Sequence, residues 1–202
     1  LTKNGNGVMV LSGNNTYAGG TTVSSGTLNL NTIGGGALSG TASVAVSTGA
    51  TLLVSQSNQV NNSAAVTLSG GTITRGSGVS EVFGNLSLTA ASFLDFGLGA
   101  AGTIGFGTYT PSALTVLNIV NFTQGNTLTF RSDLTSSINT GAFAFSGNGG
   151  LGSYSWNSTS STFTITAIPE PSTVLAALGL TGLMLWSARR RFTRQSEGSR
   201  NS

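Results

Sequence analysis

Residues able to carry acid–base chemistry are few in this chain, and they are scattered. Before Ile168 the carboxylates are Glu81, Asp95 and Asp133, and the cations are Lys3, Arg75 and Arg131. General acid–base work needs two carboxylates, or a carboxylate and a base, converging on one cleft. Three carboxylates without a clustered partner read instead as turn and surface residues. The chain contains no Cys and no His. That excludes a disulfide framework, a thiolate nucleophile, a Cys/His zinc site and a His-based triad. Gly34-Gly35-Gly36 has no acidic neighbour to supply calcium ligands. Gly97-Leu98-Gly99-Ala100-Ala101-Gly102 fits a dinucleotide-binding spacing, but that fingerprint requires a helix next, and Thr103-Ile104-Gly105-Phe106-Gly107-Thr108-Tyr109 is β-like. The expectation is a body with no catalytic residue, no cofactor and no metal.

The chemistry with a recognisable pattern sits near the C-terminus. In Pro169-Glu170-Pro171-Ser172, two prolines hold an extended, non-helical backbone, which is the form a protease binds. Thr173 to Ala188 follows as an uncharged apolar run, and Arg189-Arg190-Arg191 closes it. Sixteen helical residues span about 24 Å against a hydrocarbon core of about 30 Å. Snorkelling arginines and an interfacial Trp186 lengthen the effective span. The run is apolar on every face, unlike an amphipathic core helix. The reading is one transmembrane helix over 173–188, with the arginines as stop and topology signal. The positive-inside rule then places the C-terminus in the cytoplasm and the body outside.

The sequence pI near 10.0 belongs to this tail. The three cations and three carboxylates before Ile168 cancel, while five arginines against Glu170 and Glu197 carry the whole net charge of +3. A nucleic-acid partner needs basic residues spread over a binding face, so it is excluded.

The ordered set of Pro169-Glu170-Pro171, a short hydrophobic helix and Arg189-Arg190-Arg191-Phe192 resembles a PEP-CTERM sorting domain, over about residues 168–192. The resemblance implies processing by exosortase, a membrane-embedded enzyme that reads the Pro-Glu-Pro motif. It also implies an inner-membrane intermediate with the body in the periplasm, followed by release or transfer to the cell surface. Bacteria that make exopolysaccharide are the usual hosts, so exopolysaccharide or another cell-surface glycan is an expected partner. Thr193–Ser202 extends beyond the arginines, where the family usually stops sooner.

The body must position whatever the chain presents, and its texture is repetitive. Only 6% of residues are charged, and 30 are Gly. Hydroxyls and amides supply the remaining polarity and can ladder between stacked strands without like-charge repulsion. An element recurs as Gly26-Thr27-Leu28, Ala50-Thr51-Leu52, Gly71-Thr72-Ile73 and Ser92-Phe93-Leu94. Counted from Thr27, the steps are 24, 21 and 21 residues. Between these elements lie the alternating pairs Val44/Val46, Val66/Leu68 and Leu86/Leu88, punctuated by Gly and Asn. Period-2 alternation in such short pieces reads as strands joined by tight turns. A step near 21 residues suits one coil of a parallel β-helix, stacked about 4.8 Å from the next.

Residues 1–30 carry Leu1-Thr2-Lys3-Asn4-Gly5-Asn6-Gly7, Leu11-Ser12-Gly13-Asn14-Asn15-Thr16-Tyr17-Ala18-Gly19-Gly20-Thr21-Thr22-Val23 and Gly26-Thr27-Leu28. They are similar to the autotransporter-associated β-strand repeat, which occurs in passenger domains of secreted bacterial surface proteins. The resemblance implies a right-handed β-helix. The chain starts at Leu1 without Met and shows no signal peptide; since an exported protein needs one, a leader and further repeats are expected upstream.

From Leu94 the strands become aromatic, and nine of the ten Phe lie at or beyond Phe93. The domain reading is therefore repeats over 1–93, a closing β region with irregular capping strands over 94–166, the sorting signal over 167–192 and a cytoplasmic tail over 193–202. Ser155-Trp156-Asn157 and Ser160–Ile165 read as a last hairpin. Asn-x-Ser/Thr at Asn14, Asn61, Asn85, Asn121 and Asn157 follows from composition alone. Tyr17, Tyr109 and Trp156 read as packing or turn residues rather than sugar platforms. The fold class is all-β, a parallel β-helix followed by one transmembrane helix. The function expected is that of a non-enzymatic, structural or adhesive surface protein. The alternative is the C-terminal part of a polysaccharide-acting enzyme, or of a carbohydrate-binding surface protein, whose active coils lie upstream.

Overall fold

The computed structural model describes residues 1–146 and 153–167. The expected membrane helix over 173–188, the cytoplasmic tail and the sorting-motif residues lie outside them. Among the described residues, no helix is long and apolar enough to cross a membrane.

The chain winds as a parallel β-solenoid of about six turns. The first three coils each contribute two strands: β1 (Thr2–Lys3) and β2 (Val8–Leu11), β3 (Thr21–Val23) and β4 (Thr27–Leu30), then β5 (Ser43–Ser47) and β6 (Thr51–Val54). The next three contribute three each. These are β7 (Ala65–Ser69), β8 (Thr72–Arg75) and β9 (Glu81–Val82); β10 (Leu86–Ala90), β11 (Ser92–Asp95) and β12 (Thr103–Phe106); and β13 (Tyr109–Pro111), β14 (Leu117–Val120) and β15 (Thr127–Phe130). A short helix α1 (Thr135–Asn139) leads to β16 (Phe143–Ser146), and β17 (Ser153–Asn157) and β18 (Thr162–Thr166) finish the described chain. Residues 1–168 form one compact unit.

The recurring sequence element is the structural repeat. Thr27, Thr51, Thr72 and Phe93 stand in register on β4, β6, β8 and β11. Each faces outward, while the next residue (Leu28, Leu52, Ile73 or Leu94) points inward and is fully buried. The glycine before the pair has a physical reason. Gly26, Gly49 and Gly70 take φ of +65°, +73° and +83° where the chain turns from the first sheet into the second. A left-handed backbone at this corner favours residues without a Cβ.

The third side of the solenoid changes along its length. In the first three coils it is loop, tied by a parallel bridge between Leu38 and Val60. From β9 onward it becomes a sheet in the order β9–β12–β15. A third wall makes the section wider, and larger side chains fill it. Phe83, Phe106 and Phe130 form one column with ring centroids 5.2 and 5.7 Å apart. Phe96, Phe122 and Phe145 form a second at 4.8 and 5.6 Å. The aromatic texture beyond Phe93 therefore marks a change in core filling. It does not interrupt the coils: β11 pairs in parallel with β14, and β14 with β16. Closure comes later than Leu94. There β18 pairs antiparallel with both β15 and β17, so the expected last hairpin is present. Reversing strand direction ends the parallel stacking, and Pro111 in β13 removes a ladder N–H from the last strand of the first sheet.

Candidate functional site

The three carboxylates of the body do not converge. Asp133 is exposed and accepts from the Thr135 N–H and hydroxyl at 3.0 and 2.7 Å, which hold its carboxyl below the usual range. Asp95 closes a turn, accepting from the Gly97 N–H at 2.8 Å and the Asn121 side-chain amide at 2.7 Å. Glu81 is buried in the wall. Among the described residues, no cluster of acidic side chains is arranged to hold a metal ion. The Gly97–Gly102 segment is a turn that leads into β12 rather than into a helix, so it lacks the helix N-terminus a pyrophosphate would need.

Two buried polar networks link the coils. Gln59 is fully buried; its side chain accepts from the Thr32 N–H at 2.8 Å and donates to the Thr32 and Ser57 carbonyls at 3.0 Å each. One coil on, Glu81 accepts from the backbone N–H groups of Gln59 and Val60 at 2.6 and 3.2 Å. These side chains supply the bonds that a β-ladder would supply, on the wall where the early coils have no strand. Burial pushes the Glu81 carboxyl up to about 7, against hydrogen bonds from Gln59, Val60 and Val82 that favour the charge. In the second network Arg75 points into the core from the inward phase of β8. Its guanidinium donates to the Gly76 and Ala100 carbonyls at 2.9 and 3.2 Å and to the Asn126 side-chain oxygen, and it lies 5.3 Å from the Phe96 ring centre. Burial lowers its pKa and the charge of Asp95 opposes that. Both networks are structural: they satisfy buried backbone groups that would otherwise be stranded.

The aromatic residues weighed as sugar platforms are occupied in packing. Tyr109 is buried, bonds the Ala142 carbonyl at 3.3 Å and packs on Phe143 at 4.9 Å. Burial raises its hydroxyl to about 12. Tyr17 and Trp156 are half-buried against the core.

One open feature among the described residues is a groove of about 420 Å³ where the third wall turns into the first sheet. Asn62, Asn85, Thr108 and Arg131 line it from successive coils, with Phe83 at its floor. Sequence reasoning missed it because its members lie more than twenty residues apart. The one available signal was that Arg131 is the body's only cation outside an inward strand phase.

Comparison with known proteins supplies what geometry does not. Residues 1–30 match the passenger-associated-transport-repeat, so the described fold is a β-solenoid that carries a repeat of the passenger class. Residues 167–191 match the PEP-CTERM protein-sorting motif. The chain thus carries the PEP-CTERM sorting signal, which marks it for exosortase processing and implies export through a membrane-anchored intermediate. No curated protein and no solved structure matches the chain. Pro169, Glu170, Pro171 and Ser172, expected to be read in processing, and Arg189, Arg190 and Arg191, expected to set topology, fall outside the described residues.

Proposed function

We propose that this protein is a non-enzymatic surface shaft: a β-solenoid delivered by a temporary C-terminal address. The observation that carries the reading is the PEP-CTERM match over 167–191, which begins where the compact unit ends at Ile168. In this reading Thr173–Ala188 spans the inner membrane, Arg189-Arg190-Arg191 stops transfer, and the body waits in the periplasm. Exosortase then reads Pro169-Glu170-Pro171-Ser172, and the shaft passes to the cell surface or the extracellular matrix, where its role is structural or adhesive. A body with neutral net charge, scattered carboxylates and continuous hydrogen-bonded ladders supports a protein whose work is to present surface rather than to react. The expected winding is right-handed, as for nearly all crossovers between parallel strands.

Replacing Pro169-Glu170-Pro171 with Ala-Ala-Ala should leave the protein membrane-bound and longer by the mass of the tail. Immunoblotting of membrane and released fractions reads this directly. Normal release of a shortened body from that variant would overturn the proposal.

A further inference from the structure

The groove at the corner between the third wall and the first sheet is lined by the same corner position of successive coils. A ladder of backbone hydrogen bonds runs through it from coil to coil: Gly84 N–H to Ala64 O at 3.0 Å, Gly107 N–H to Gly84 O at 2.9 Å, and Arg131 N–H to Gly107 O at 2.9 Å. Its glycines leave no room for a side chain. A Cβ on Gly84 would lie 2.6 Å from the Ser63 carbonyl, and one on Gly107 would collide with the Asn85 side chain. The floor is therefore bare backbone beside the buried Phe83 ring, while Asn62, Ser63, Asn85 and Thr108 stand exposed along the sides. With coils about 4.8 Å apart, the three steps from Asn62 to Arg131 span roughly 14 Å.

Charge singles out the same place. Of the three cations among the described residues, Lys3 and Arg75 are buried, at 5% and 2% exposure, and Arg131 alone is exposed. The Lys3 ammonium is committed to the carbonyls of Asn4, Gly5 and Ser25. The one exposed Lys or Arg among the described residues thus lies in a polar groove, beside amides that both donate and accept.

We propose that this groove binds an acidic oligosaccharide, two to three sugar residues long, with a uronate carboxylate on Arg131. Arg pairs with carboxylates through two parallel N–H donors. Asn62, Ser63 and Asn85 offer the mixed donors and acceptors that sugar hydroxyls require. The glycine-backbone floor, with no side chain projecting from Gly84 or Gly107, leaves room for the flat face of a pyranose, and no carboxylate lines the groove to repel the ligand. The proposal deepens the surface-shaft reading and rests on it for where such a glycan is met.

The test is a titration of the full chain in uncharged detergent micelles with tetragalacturonate, followed by calorimetry and amide NMR. The expected result is saturable binding, with shifts centred on Gly84 and Gly107. Arg131→Gln should weaken it about tenfold or more, and Asn62→Ala about threefold, with melting temperatures unchanged. Because the tail arginines also attract a polyuronate, the salt dependence is read at the groove amides: about 0.5 M salt should weaken the shifts of Gly84 and Gly107 in the wild type and change those of Arg131→Gln little. Equal affinity for maltotetraose or for tetraglutamate, shifts elsewhere on the body, or unchanged binding by Arg131→Gln would each overturn the proposal. The titration uses the unprocessed chain, so its failure leaves the sorting reading standing, and failed processing leaves the groove standing.

Discussion

Glu81 shows how one residue can be both a structural bond and a liability. Its carboxyl bonds two backbone N–H groups of the preceding coil, yet burial raises its pKa from 4.5 to about 7. The folded state therefore keeps this proton through a pH range in which the unfolded chain has lost it. Stability contributed by the protonated form is full below pH 4.5 and is lost as pH rises through about 7. The shift is worth about 3 kcal/mol. Glu81→Gln removes the titration. Urea unfolding at pH 5 and pH 8 should show the wild type losing roughly 2–3 kcal/mol more than Glu81→Gln, because at pH 5 the unfolded chain has already lost most of its proton. Parallel pH profiles would disprove the assignment. Neither Glu81 nor Gln59 was legible as a wall residue in the sequence. Each bonds groups that lie about one coil away, and only the wound chain brings those groups together.

At the scale of the coil corner, two glycines with nearly the same backbone have different surroundings. Gly26 and Gly49 have φ of +65° and +73°. A Cβ on Gly26 would lie 2.5 Å from the carbonyl oxygens of both Gly5 and Gly7, whereas Gly49 has nothing within 4 Å. Gly49→Ala should thus cost only the left-handed backbone penalty, about 1–2 kcal/mol. Gly26→Ala adds a collision with the neighbouring coil and should cost at least about 1 kcal/mol more. Denaturant midpoints of the two variants, each against wild type, measure the difference directly. The recurring Gly-Thr-Leu element was legible because one corner and one alternating pair lie within four residues. The third wall was not, since its strands are short and two of its early connections are irregular loops held by side chains.

For the solenoid as a whole, stability comes from neighbour on neighbour, so position along the stack matters. Among the described residues β2 pairs only with β4, and its inward residues Met9 and Leu11 are half-buried, while Leu28 and Leu30 beneath them are fully buried. β6 lies between β4 and β8. In a protein of residues 1–202 alone, native-state hydrogen exchange should accordingly find amides of β2 opening far more readily than those of β6 and β8, with the aromatic coils around Phe106 and Phe130 among the slowest. Uniform protection along the stack would contradict this picture. The same asymmetry explains why a texture change at Phe93 reads, from composition, as the beginning of an end. Large side chains also cap solenoids, and only the register distinguishes capping from core filling.

By itself the sequence determined that the chain is a β-solenoid followed by a PEP-CTERM sorting signal. Both properties are written in local order: a turn glycine, an outward hydroxyl and an inward aliphatic residue at a repeat near 21, and Pro-Glu-Pro before an apolar run and three arginines. Tertiary structure alone decided where the third wall begins, that Arg75 and Glu81 are buried, and that Asn62, Asn85 and Arg131 share a groove. Those facts depend on which residues become vertical neighbours when coils of unequal length stack. That is a matter of register, which no local pattern encodes.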